Sequence, residues 1–148
     1  MKTHQGEIVR WREVGLRALL YLASLCLFVW WGLTHIVFKV WYFDLFDMSF
    51  RAHDHFDNVA SEMIGVMAIA LAYGAFVAAK NPAQSLVLLK TLILTALGAS
   101  AVFVVNMILG RVPMNHLLSV AFILSVVVGV LLLWPRKRRS SSSSSVAT

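Results

Sequence analysis

His35, Glu62, Asn106 and His116 are the residues of this chain best placed to do chemistry, because each is a polar group inside or at the edge of an apolar run. Imidazole and carboxylate exchange protons near neutral pH, and both ligate divalent metals. A carboxamide orients a ligand or a neighbouring helix. His53 and His55 add a His-x-His pair. On an extended segment the two rings point the same way; on a helix they diverge by about 200°. Imidazole donors favour zinc, copper or iron, so this pair and the two histidines of the apolar runs are the candidate metal ligands. Cys26 is the lone cysteine and lies in an apolar run, so it forms no disulfide within the chain and reads as a small packed side chain.

The elements that must position these groups are membrane helices. Of 148 residues, 59% are apolar and 14% charged, against about 25% charged in soluble domains. A spanning helix needs about 20 apolar residues, and four segments meet that need: 16–40, 61–79, 86–109 and 116–134. An open sheet would leave unpaired backbone edges in lipid. Asn81-Pro82, Gly110-Arg111-Val112-Pro113 and Trp134-Pro135 punctuate the runs. The expected fold is all-α: one four-span domain over 1–139, an antiparallel four-helix bundle in the membrane. A serine-rich tail over 140–148 is expected to be disordered. The basic start followed by an apolar run resembles a signal peptide, but the run is too long and lacks a cleavage pattern, so it reads as an uncleaved helix.

The net charge of +6 reads as topology rather than nucleic-acid binding. Lys2, Arg10, Arg12, Arg17, Lys80, Lys90, Arg136, Lys137, Arg138 and Arg139 fall on one side of the four spans, and Lys39, Arg51 and Arg111 on the other. The positive-inside rule then places both termini in the cytoplasm of a cell whose inner membrane holds the chain. Asp44, Asp47, Asp54, Asp57 and Glu62 gather at the outer face. In this orientation each span brings one polar group to the outer end: His35, Glu62, Asn106 and His116. Intramembrane ionisable groups are costly and mark functional positions. The same residues have structural roles open to them. Glu62 suits a helix N-terminus that Asn58 or Ser61 would cap, and it can pair with His35, Lys39 or Arg51. Asn106 can bond between helices, and His116 can meet interfacial water.

Packing signals are plain. Gly65, Ala68, Ala72, Ala75 and Ala79 share a face of span two, which also turns Glu62 inward. Thr91, Thr95, Gly98, Val102 and Asn106 form an inward stripe on span three, and Ser125 with Gly129 a contact on span four. Trp41, Tyr42 and Trp134 read as interfacial anchors. Trp30 and Trp31 lie deeper and read as packing or lipid-facing residues, with a place in a pocket wall as the alternative. Asp47, Arg51, His55, Asn58 and Glu62 recur at helical spacing, which predicts a short amphipathic helix on the outer interface, running into span two.

The run Glu62-Met63-Ile64-Gly65-Val66-Met67, with Gly74-Ala75-Phe76, Ala79-Lys80-Asn81-Pro82 and Ser85-Leu86, resembles the small DoxX-like and BphX-like bacterial membrane proteins. The resemblance covers about 60–109 and implies a four-helix bundle in the inner membrane, with Glu62 as the position carried over. Some relatives hold a histidine in the third span, where this chain has Ala101-Val102-Phe103.

No hydrolase serine motif, phosphate-cradling glycine loop or His-Glu-x-x-His is present. The expected role is therefore non-enzymatic: an accessory protein of the bilayer that holds a lipid or other hydrophobic small molecule, or a subunit of a membrane complex. A proton-linked transporter or channel component using Glu62 and His35 is the alternative. A metal-dependent membrane enzyme using His35, His53, His55 and His116 is the third reading. No particular cofactor is implied.

Overall fold

A computed structural model describes residues 2–45 and 55–135; among them every regular element is helical and none is a strand. Helix α1 (Lys2–Cys26) passes without interruption into a π-helical segment, Leu27–Leu33, and then a last α-turn, α2 (Thr34–Ile36). The chain breaks at Val37-Phe38 and resumes as the short α3 (Lys39–Leu45). The long helices α4 (His55–Lys80), α5 (Leu86–Ile108) and α6 (Leu117–Leu132) follow. A single 3₁₀ turn, Met114–His116, leads into α6.

Local chemistry sets these limits. Pro82 has no amide to continue α4 and drives Asn81 out of helical geometry. The link is closed by Gln84 N–H donating to the Asn81 carbonyl at 3.2 Å and Ser85 N–H to that of Pro82 at 3.3 Å. Helix α5 ends in a Schellman turn. Gly110 takes φ +66°, its amide donates to the Met107 carbonyl, and the Arg111 amide reaches back to Asn106.

Three helical stretches are long and apolar enough to cross a membrane: Arg10–Ile36, Asn58–Lys80 and Leu86–Ile108. The fourth expected span is a shorter apolar helix of 16 residues, about 24 Å long against a hydrocarbon core of about 30 Å. The first span stops at Ile36 rather than at residue 40, because the break at Val37 diverts the chain before Lys39. Span two has neither expected cap: its helix already runs at His55, so Asn58 and Ser61 lie inside it. Residues 46–54, which hold most of the expected amphipathic segment, and the serine tail fall outside the described residues.

Helix α1 packs on α4 and α6, α4 also on α5, and α5 on α6. The α1–α4 seam is antiparallel: Ser24 Oγ donates to the Ala72 carbonyl at 2.7 Å, and further along Ser61 Oγ donates to the His35 carbonyl at 2.9 Å. The small-residue face of α4 makes this seam, as expected, with Ala68, Ala72, Ala75 and Ala79 all buried. At its closest point a side chain on Gly65 would lie 2.9 Å from the Gly32 carbonyl oxygen. Small residues let the backbones meet and gain dispersion contact over the whole seam. Gly129 plays the same part on α6, where a β-carbon would meet Leu19 at 2.6 Å.

The stripe on span three turns inward only in part: Thr95 and Val102 line the space between the helices, but Thr91 and Gly98 do not. Thr91 and Gly98 are exposed, and nothing lies within 4 Å of where a Gly98 β-carbon would be. The buried residues of α5 are Leu89, Ser100 and Met107. Thr91 satisfies itself on the Val87 carbonyl and needs no neighbouring helix. Ser125 does likewise on Ala121, so only Gly129 of that expected pair makes a helix contact.

Outward faces are largely apolar, with charged side chains such as Arg17, Glu62 and Lys90 exposed among them. Leu22, Leu25, Val66, Tyr73, Leu94, Ile108, Leu118 and Val128 are among many large apolar side chains left exposed. Such a surface far exceeds the patches that water-soluble monomers tolerate.

Candidate functional site

The cavity between the helices has a volume of about 500 Å³, within the usual range for small-molecule sites. Its wall is drawn from α1 and its continuation, α4, α5 and α6. It starts above a packed cluster of Leu16, Leu20, Ala78, Ala79, Leu89 and Val130. It reaches His35 at the other end, and from Leu20 to His35 the first helix rises about 20 Å. The chamber is long, narrow and almost wholly apolar.

Leu20, Ala23, Leu27, Trp31 and His35 are the first helix's share of that wall. Steps of four drift around a regular α-helix, because four residues turn slightly more than once. A π turn is wider, with i→i+5 bonding, and four residues then turn slightly less than once. The π segment Leu27–Leu33 therefore cancels the drift and holds Leu27, Trp31 and His35 over one chamber.

His35 is 4% exposed. Its Nδ1 lies 2.9 Å from the Trp31 carbonyl, which can only accept, so Nδ1 carries the proton. Thr34 Oγ1 stands 3.3 Å from the same nitrogen and donates its own proton to the Trp30 carbonyl. In the neutral ring Nε2 is then the acceptor. No partner for Nε2 is found among the described residues. Tyr42 covers the ring at a centroid distance of 4.3 Å and is itself buried. Burial pushes the Tyr42 phenol up to about 12, so it stays protonated at physiological pH. It is thus no interfacial anchor, unlike its exposed neighbour Trp41. Trp30 packs edge-on against both Trp41 and Tyr42. Trp31 lines the chamber and faces Phe122 at 6.3 Å.

The other expected site residues do not share the chamber. Glu62 is 52% exposed, and Lys39 Nζ donates to its Oε1 at 2.7 Å. It lies about 100° around α4 from the centre of the small-residue face, which brings it to the rim. Asn106 does not bridge helices; its Nδ2 donates to the Val102 carbonyl of its own helix at 2.8 Å. His116 is buried rather than set in interfacial water. Its ring stacks on Phe103 at 5.5 Å, and Phe103 in turn forms part of the chamber wall. The expected layer thus resolves into two buried imidazoles at one end of the bundle, with Glu62 outside it.

Among the described residues, no group of three or more His, Cys, Asp or Glu is arranged to hold a metal. His53 lies outside the described residues, and His55 is the first residue of α4.

One side of the chamber is less closed than the rest. Ile64 and Met67 of α4, and Thr95 and Val102 of α5, all line it and are all exposed. Leu88 and Leu92 pack toward Gly74 near the link that joins these two helices. Sequence reasoning allowed a pocket but missed the course of its apolar wall and the burial of Tyr42. The available signal was the step of four from Leu27 through Trp31 to His35.

The chain matches no protein family, no curated protein and no solved structure.

Proposed function

We propose that this is a small integral membrane protein that holds a hydrophobic small molecule or lipid within a four-span helical bundle. The observation that carries the reading is the apolar chamber of about 500 Å³, walled by all four long helices. A chamber this apolar excludes ions and favours hydrocarbon through dispersion and desolvation. The exposed apolar faces support a bilayer setting, since lipid is the solvent that suits them. In this reading α6 is the fourth crossing, with Trp134 extending its apolar length. The Lys and Arg asymmetry supports an inner-membrane position with cytoplasmic termini. The resemblance of about residues 60–109 to DoxX-like and BphX-like bundles supports the same architecture. The ligand enters sideways from the bilayer, between α4 and α5, where the chamber wall is exposed.

The test is purification of the full chain in mild detergent, followed by solvent extraction and mass spectrometry. A stoichiometric apolar molecule is expected with the unaltered chain. Ala99→Phe, which places a ring in the chamber, is expected to lose it. A chain that carries no lipid or small molecule in either form would refute the reading.

A further inference from the structure

We infer that the chamber selects an amphiphile with a single hydroxyl head, a long-chain or isoprenoid alcohol, whose O–H donates to Nε2 of His35. The inference rests on the proposed hydrophobic-ligand function and specifies its ligand class. Three observations carry it. First, His35 is 4% exposed and is the only titratable residue in the chamber wall among the described residues. Second, Nδ1 is committed to the Trp31 carbonyl, so the neutral ring turns an acceptor, not a donor, toward a ligand. Third, apart from the Thr95 hydroxyl and the Trp31 indole the rest of the wall is hydrocarbon over about 20 Å of helix rise, a length suited to an extended chain rather than a compact ring system.

Charge argues the same way. A carboxylate head would require His35 to be cationic inside an apolar chamber. The resulting ion pair would have to be stripped of water, and among the described residues no further charged group lines the wall to support it. A phosphate-bearing head would need several donors, and the wall offers none beyond Thr95, Trp31 and His35. A hydroxyl asks for one acceptor and brings no charge. A site built around one buried hydrogen bond discriminates well against analogues lacking the group, because its own polar atom is then left unpaired.

The test uses the purified full chain in detergent, loaded with a pyrenyl-alkane and titrated with hexadecanol, hexadecane and hexadecanoate. Hexadecanol is expected to displace the probe about tenfold more tightly than hexadecane, the ratio that one net hydrogen bond yields. His35→Leu is expected to abolish that preference while leaving hexadecane displacement within about twofold, since the chamber itself stays apolar. Thr91→Val, on the exposed face of α5 and outside the chamber wall, serves as the companion variant and leaves the preference intact. Equal displacement by alcohol and hydrocarbon in the unaltered chain overturns the inference alone. So does preference for hexadecanoate, or a preference that survives His35→Leu. Failure of the probe and of every ligand to bind overturns the proposed function as well. The comparison within the unaltered chain decides the matter even if His35→Leu does not fold.

Discussion

The hydroxyls in this chain divide by whether they bond to their own helix or to another. Ser61 belongs to the second kind. The helix break after Ile36 removes the amides that would satisfy the His35 carbonyl, and Ser61 Oγ donates to it from α4. Ser61→Ala therefore leaves a buried carbonyl short of a donor and is expected to cost about 1–3 kcal/mol, read as a lower unfolding temperature in detergent. Thr91 bonds its own Val87 carbonyl on an exposed face, so Thr91→Val is expected to leave that temperature unchanged. The same division explains what could be read from residue types alone. That His35, Glu62, Asn106 and His116 gather toward one end followed from the lengths of the apolar runs. Which of them turn inward did not. Glu62 has Lys39 within reach across the seam and stays at the rim, whereas His35 meets its partner in its own preceding turn. Such choices depend on the rotation of each helix to within a fraction of a turn. Hydropathy does not encode that rotation when all sides are apolar.

At the level of elements, two glycines with similar surroundings in the sequence carry opposite expectations. Gly65 faces the Gly32 carbonyl at a distance no β-carbon tolerates, and that atom is backbone, which cannot swing aside. Gly65→Ala is expected to pry α1 from α4 and cost about 1–3 kcal/mol. Gly98 has open space around it, so Gly98→Ala is expected to hold or raise stability, by up to about 1 kcal/mol from helix propensity. Thermal unfolding of the two variants side by side checks both. The seam through Gly65 was legible because steps of three and four between small residues fix a face. The stripe through Gly98 showed the same pattern without the same outcome. In lipid, a small-residue face is permitted to pack but not compelled to, since lipid tails cover it at little cost. The break at Val37 and the π segment were not legible at all. Neither carries proline or a charge, and both arise from how the first helix meets α4.

For the whole molecule, the charge asymmetry makes a prediction independent of the chamber. Gln84, in the α4–α5 link, and Met114, before α6, are both exposed. In a Cys26→Ser background, cysteine at position 114 is expected to react with an impermeant maleimide in intact cells. Cysteine at position 84 is expected to react only after permeabilisation. The reverse pattern would invert the orientation, and reaction at both would remove a crossing.

The wide turn over Leu27–Leu33 has one more consequence, for the chain's tolerance of length change. A π segment accommodates a surplus residue within an α-helix, so this helix already contains one insertion. Deleting Val29 would discharge it. The turn is then expected to relax to ordinary α geometry. Six α residues turn about as far as seven residues of the wider π geometry, so Leu20 and Ala23 keep a common wall with His35. A one-residue deletion is thus expected to leave both the ligand and the helix content by circular dichroism almost unchanged. A second deletion, with no surplus left to absorb it, is expected to turn the two halves by about 100° against each other and to empty the chamber. This stretch of the first helix tolerates the loss of one residue and not of two.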